Sequence, residues 1–128
     1  MNKDYAQGDL VYAIYKTGKY IGEIAGKEEG RVLVKIRAVL RHPTQGDLHY
    51  PNQVNVAFQQ RRALAEFEKT WVHPASIKPF EGKVPDYNDS LRNALDAEIT
   101  KLKEKNNDWA QKSIEMLEDL RRDYFKRS

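Results

Sequence analysis

His42, Asp47 and His49 form the one close cluster of imidazole and carboxylate side chains in this chain, inside the run Arg41-His42-Pro43-Thr44-Gln45-Gly46-Asp47-Leu48-His49-Tyr50-Pro51. Two imidazoles and a carboxylate suit zinc or another divalent ion, and a connection of this length can bring three ligands to one point. Their spacing matches no metal motif, and neither a cysteine nor a clear fourth ligand is present. The preferred account is structural. Asp47 caps the turn through backbone amides, Gly46 takes an unusual φ, and the histidines bond to carbonyls. No metal and no cofactor is expected.

Catalysis is equally hard to assemble. A hydrolase needs a nucleophile, a base beside it and a group that orients the base, yet no serine lies in a Gly-x-Ser-x-Gly elbow. Ser76, Ser90, Ser113 and Ser128 read as turn, cap or surface residues. Gly18-Lys19-Tyr20-Ile21-Gly22 lacks the phosphate-loop spacing and lies in a hairpin pattern. The expectation is a protein that is not an enzyme.

Binding has better support. Arg31, Lys35, Arg37 and Arg41 alternate with apolar residues and line one face of an extended segment about 33 Å long, a stripe able to hold phosphates or an acidic partner. Arg61 and Arg62 are candidates to join it, and Tyr12, Tyr20, Tyr50 and Trp71 offer stacking surfaces. Against this, Glu66 and Glu68 can lie across the sheet and neutralise the stripe, and several of the aromatics read as core. Nucleic-acid binding through this basic face is the alternative reading, disfavoured by weak charge and by the lack of a recognised motif.

These residues are positioned by a first part that reads as β and a second that reads as α. Asp9 to Tyr15 and Lys19 to Ala25 alternate as strands around Lys16-Thr17-Gly18, a three-residue turn with glycine where a positive φ is cheap. After a turn at 26–30, Val32, Val34, Ile36, Ala38 and Leu40 share the apolar face of a third strand. Val54 to Phe58 and Arg62 to Glu68 are read as strand pieces, although 61–66 also suits a short helix by propensity. Thr70 to Phe80 reads as a strand, a single helical turn and a last short strand. The fold class expected is β plus α: a small SH3-like β barrel over residues 1–82, then an antiparallel α-helical hairpin over 83–128.

Gly82 and Pro85 close the sheet, and Asp86 or Asp89 can cap a helix from about Asn88 to Lys105 with Leu91, Leu95, Ile99 and Leu102 on one face. Asn106-Asn107-Asp108 breaks it. A second helix from Trp109 to about Lys126 sets Ala110, Ile114, Leu117, Leu120 and Tyr124 together, and the short link makes the pair antiparallel. The hairpin is expected to pack on itself, on the barrel or on a partner. A remaining side with Trp109, Met116 or Phe125 is available for docking another protein or a second copy, as in a homodimer.

With 128 residues the chain has the length of a single modest core. Of the formal charge of +3, all falls in residues 1–82, with 12 Lys+Arg against 9 Asp+Glu; residues 83–128 hold 10 of each. A charge this small is far from that of a dedicated duplex binder. The absence of cysteine rules out disulfides and thiol chemistry and fits a reducing cytoplasm. The first eight residues have no apolar run, so neither a secretory signal nor a membrane span is expected there.

Four separated motifs agree in order with one family: Tyr15 to Glu23, Arg41 to Pro51, Gln60-Arg61-Arg62-Ala63-Leu64-Ala65, and Val84 to Leu91. On them the chain resembles the kinase-associated protein B family of endospore-forming bacteria, nearly end to end. The resemblance implies a partner of a membrane sporulation sensor histidine kinase, supporting its signal into the phosphorelay, at the cytoplasmic side and reaching the membrane's inner face through that partner. It also marks Tyr20, His42, Asp47, His49, Arg61 and Arg62 as positions to test as a binding surface. Members have been labelled lipoproteins, whereas this chain has no cysteine to carry such a lipid.

Overall fold

Strand β1 (Leu10–Tyr15) turns into β2 (Gly18–Glu28) through only Lys16 and Thr17, because Tyr15 already pairs with Gly18. The expected three-residue turn with glycine at the positive φ is thereby corrected: Lys16 takes φ 54°, and Gly18 opens the strand. That glycine is needed for space. A β-carbon there would lie 2.5 Å from the Tyr20 hydroxyl and against the edge of its ring. The structure, a computed structural model, describes residues 5–46 and 58–126.

β2 runs on past Ala25 to Glu28, and Gly30 at φ 78° returns the chain into β3 (Arg31–Arg41). Register shifts between β2 and β3, at Lys19/Tyr20, Ile21/Gly22 and Ile24/Gly26, are bulges that bend the ladder. They change the facing of side chains. Val32, Val34, Ile36 and Ala38 point inward as expected, but Val39 is then buried and Leu40 is 39% exposed, which corrects the place given to Leu40.

β4 (Lys69–Val72), a 3-10 turn (Pro74–Ser76) capped by His73, and β5 (Ile77–Pro79) follow the predicted order. The sheet is antiparallel in the order β4-β3-β2-β1-β5. β4 and β5 are its two edges. The closed barrel expected from sequence is therefore corrected to an open five-stranded sheet, because these two short strands pair only with β3 and β1. Arg62 to Glu68 is also corrected, since it is irregular backbone ending in a turn, with Phe67 at φ 67°. Only its end follows β3: Phe67 N–H bonds to the Ile36 carbonyl, and Ile36 N–H to that of Glu68. Of the expected strand at Val54 to Phe58, residues 54–57 lie outside the described residues and Phe58 is irregular.

Helix α1 (Tyr87–Lys105) starts at Asp86, whose carboxylate accepts the Asp89 N–H, and stops where Asn106 turns left-handed at φ 49°. Asn107 then caps α2 (Asp108–Tyr124) by accepting the Ala110 N–H. The pair is antiparallel: Arg121 reaches back to Asp96, and Arg92 lies over the Phe125 ring. Leu91, Leu95, Ile99 and Leu102 of α1 and Ala110, Leu117 and Leu120 of α2 join the inward face of the sheet in one buried cluster. Ser90 ties α1 to β3, accepting the Val39 N–H at 2.9 Å. It is buried within α1, as is Ser113 within α2, which corrects the reading of these two as turn, cap or surface residues. Trp109 is 8% exposed and packs in the core, which takes it out of the proposed docking side.

Candidate interaction site

A stretch of backbone with no helix or strand must find partners for its N–H and C=O groups elsewhere, since a buried unpaired group costs about 1–3 kcal/mol. Residues 59–64 find them in side chains and loop backbone from across the fold. Gln45, 3% exposed, accepts the Arg61 N–H and donates to the Arg61 carbonyl, both at 2.9 Å. The Tyr124 hydroxyl of α2 accepts the Ala63 N–H at 2.8 Å. The Tyr20 hydroxyl of β2 accepts the Leu64 N–H at 3.2 Å, and the Tyr87 hydroxyl of α1 donates to the Leu64 carbonyl. Gly46 N–H bonds to the Gln59 carbonyl, and Arg61 Nε donates back to the Gly46 carbonyl at 2.8 Å.

His42 sits at the centre of this arrangement, 1% exposed. Nδ1 lies 3.0 Å from the Pro43 carbonyl and Nε2 2.9 Å from the Tyr124 hydroxyl. A carbonyl only accepts, so Nδ1 carries the proton; Nε2 then accepts the Tyr124 proton, whose oxygen is already receiving the Ala63 N–H. A relay runs from Ala63 N–H through Tyr124 to His42 and ends on Pro43. Burial holds the imidazole neutral and takes its pKa down to about 4; the Pro43 bond opposes this and the Arg62 charge adds to it. Burial likewise pushes the Tyr20 hydroxyl up to about 12 and raises those of Tyr87 and Tyr124.

The structure thus brings together Tyr20, His42, Arg61 and Arg62 out of the predicted set, while Asp47 and His49 lie outside the described residues. Tyr20 and His42 are buried supports. Arg61 and Arg62 are what the segment displays. Arg62 is exposed, paired with Asp123 at 2.6 Å and stacked over the Tyr124 ring. With both ring nitrogens of His42 engaged within the protein, the three-ligand metal cluster has lost one member. Gly46 does take the unusual φ, at 96°.

The basic stripe is a separate and largely neutralised feature. Lys35 and Arg37 share Glu23 at 2.9 and 3.4 Å, and Arg31 pairs with Glu28 at 2.7 Å while lying over Trp71. The neutralising acids are therefore on β2, directly across the ladder from β3, and not Glu66 or Glu68. Arg41 donates instead to the Thr17 carbonyl. Arg61 and Arg62 turn to Gly46 and Asp123 and do not extend the stripe. The sequence does not mark Gln45, Tyr87 or Tyr124 as site residues. A glutamine beside a loop glycine and a tyrosine on an apolar helix face carry little sign of a tertiary bond.

The fold and site define a mixed β/α protein whose two C-terminal helices hold an irregular segment against an open antiparallel sheet. The profile of the family described as kinase-associated protein B matches residues 15–125, and the chain belongs to that family. It is 45% identical over 124 residues to the kinase-associated lipoprotein B of Bacillus subtilis (strain 168), a match covering 96% of this chain and 97% of that protein. Its structure is similar to the crystal structure of kinase-associated protein B from Bacillus cereus, with a TM-score of 0.81 and 38% identity over 94% of this chain and 98% of that one. Among the described residues no helix is long and apolar enough to cross a membrane.

Proposed function

We propose that the chain is a non-catalytic interaction module that engages the cytoplasmic part of a sporulation sensor histidine kinase and supports its signalling into the phosphorelay. Family membership supplies the partner class, since relatives of this sequence carry the description kinase-associated. The observation that carries the reading to a surface is the 59–64 segment, whose backbone is held by Gln45, Tyr20, Tyr87 and Tyr124 while Arg62 is exposed and Arg61 half-buried. A recognition segment held in place before binding loses less entropy when it docks.

On this reading residues 1–82 and 83–128 act as one unit, the sheet supplying the front of the segment and the helical hairpin its backing. The protein works at the inner face of the membrane through its partner. Support for signalling requires tighter binding to one conformation of the kinase than to the other. The test is a binding measurement between the purified chain and the purified cytoplasmic part of the kinase at low and high salt. Saturable binding that weakens modestly with salt supports the module; no binding at either salt sinks it. The Glu23 and Glu28 pairs weigh against the nucleic-acid alternative, since they neutralise Arg31, Lys35 and Arg37 of the basic face.

A further inference from the structure

Between the β1–β2 turn, the 42–46 loop and the held segment lies a cavity of about 280 Å³. This volume lies at the lower edge of the about 300–1,000 Å³ of small-molecule pockets and is room enough for a side chain. Among the described residues the charged groups on its lining have a single sign: Lys16, Arg61 and Arg62 are present and no carboxylate is. Arg62 is already committed to Asp123.

Arg61 is placed differently. Its Nε donates to the Gly46 carbonyl and its backbone is gripped on both sides by Gln45, so the guanidinium is fixed, while no carboxylate among the described residues pairs with its terminal nitrogens. Lys16 extends over the Tyr15 ring, 5.4 Å from its centroid, at the rim of the same cavity. The Tyr20 hydroxyl accepts from Leu64, and among the described residues its own proton has no acceptor. A fixed guanidinium fork matches the two oxygens of a carboxylate, and a cation held in place ahead of binding strengthens that preference. Tyr15 and Pro43 supply apolar walls for the methylenes that carry the acid.

We propose that this cavity receives a carboxylate side chain from an acidic segment of a protein partner, with Arg61 as the fork, Lys16 as the second cation and the Tyr20 hydroxyl as a further donor. The inference rests on the reading of this face as a partner surface and gives that partner its local chemistry.

The test uses the full isotope-labelled chain and three probes at constant ionic strength: a blocked tetraglutamate peptide, a blocked tetralysine peptide and inorganic phosphate. Tetraglutamate is expected to produce saturable amide shifts at Lys16, Thr17, Gln60 and Arg61, with none from tetralysine. Lys16→Glu is expected to weaken this binding at least tenfold, and Lys27→Glu, at the other end of β2, to leave it within twofold. Arg61→Lys, which keeps the charge and removes the fork, should also weaken it, with retained folding checked by the remaining amide spectrum. Shifts spread over the surface, insensitivity to Lys16→Glu, or saturation by phosphate and not by tetraglutamate would each overturn the assignment. Because no kinase is in the tube, failure here leaves the kinase reading to its own binding measurement. Conversely, a kinase that does not bind leaves the carboxylate site standing.

Discussion

The hydroxyl of Tyr124, at the end of the last helix, sits 2.9 Å from Nε2 of His42, 82 residues earlier in the chain. Through that same oxygen it also holds the N–H of Ala63. One side chain therefore joins three parts of the fold: the loop after β3, the irregular segment and the carboxyl end of α2. Tyr124→Phe keeps the ring and removes the bonds, leaving His42 Nε2 and the Ala63 N–H unpaired. Loss of stability is expected at about 1–3 kcal/mol, read as a lower denaturant midpoint with an unchanged slope. Hydrogen exchange at Ala63 should accelerate more than at Leu117, which is set in the core.

Acid should destabilise the protein through His42. Its folded pKa is lowered to about 4 while the unfolded chain titrates near 6.5, so below 6.5 the unfolded state binds the extra proton. Stability is then fully present above pH 6.5, falls as pH drops toward 4, and loses no more from this group below that. At about 1.4 kcal/mol per pKa unit the whole effect is on the order of 3 kcal/mol. Denaturation curves from pH 7 to 4 check it, against His42→Phe, in which this slope should be reduced.

Alkali should act through the tyrosines. The Tyr20 hydroxyl is raised to about 12 by burial, and those of Tyr87 and Tyr124 are raised as well. With folded values above the unfolded one near 10, their contribution is complete below pH 10 and is lost as pH climbs through the folded values. The part of the tyrosinate absorbance at 295 nm that these three hydroxyls contribute should therefore rise together with unfolding rather than ahead of it.

Gly18 and Gly26 both lie in β2 and should respond in opposite ways to alanine. At Gly18 the new methyl meets the Tyr20 hydroxyl and ring carbons at 2.5–2.8 Å, and moving that ring pulls its hydroxyl from Leu64. Gly18→Ala is expected to cost about 1–3 kcal/mol. At Gly26 the nearest atoms are 3.8 Å away, so Gly26→Ala should be neutral or stabilising by up to about 1 kcal/mol. Thermal melts of the two variants decide it.

Glu23 shields two cations at once, Lys35 and Arg37. Glu23→Gln should raise the salt needed to elute the protein from heparin by more than Glu115→Gln does, although both change net charge by one. Equal shifts would mean that heparin reads net charge alone and that the Glu23 pairs mask nothing.

Much of the fold was legible because its signals are local. Asp86, Asn106 and Asn107 mark helix ends by their own side chains and backbone preferences, and both helices fall within two residues of expectation. Strand β3 was legible up to Ala38, where alternation holds, and misread at Leu40, because a bulge belongs to the pairing of two strands and leaves no mark on one of them. The open sheet was hidden for the same reason: β4 and β5 carry strand patterns, and whether their edges meet depends on the twist of the whole sheet. At the site, Tyr20, His42, Arg61 and Arg62 were found through family resemblance. Gln45 and Tyr124 were not, since a glutamine that replaces strand partners and a helix tyrosine that reaches a distant loop act only once the chain is folded. The segment at 62–68, read as a strand with a short helix as the alternative, is neither: side chains took over the hydrogen bonds that a ladder would have supplied.

The most direct measurement is amide hydrogen exchange of the full chain, alone and with the purified cytoplasmic part of the sporulation sensor kinase at saturating concentration. The account predicts new protection at residues 15–20 and 59–64, with the outward face of β3 from Arg31 to Arg37 unchanged. Protection confined to Arg31–Arg37, or none under conditions where the two proteins bind, would contradict it.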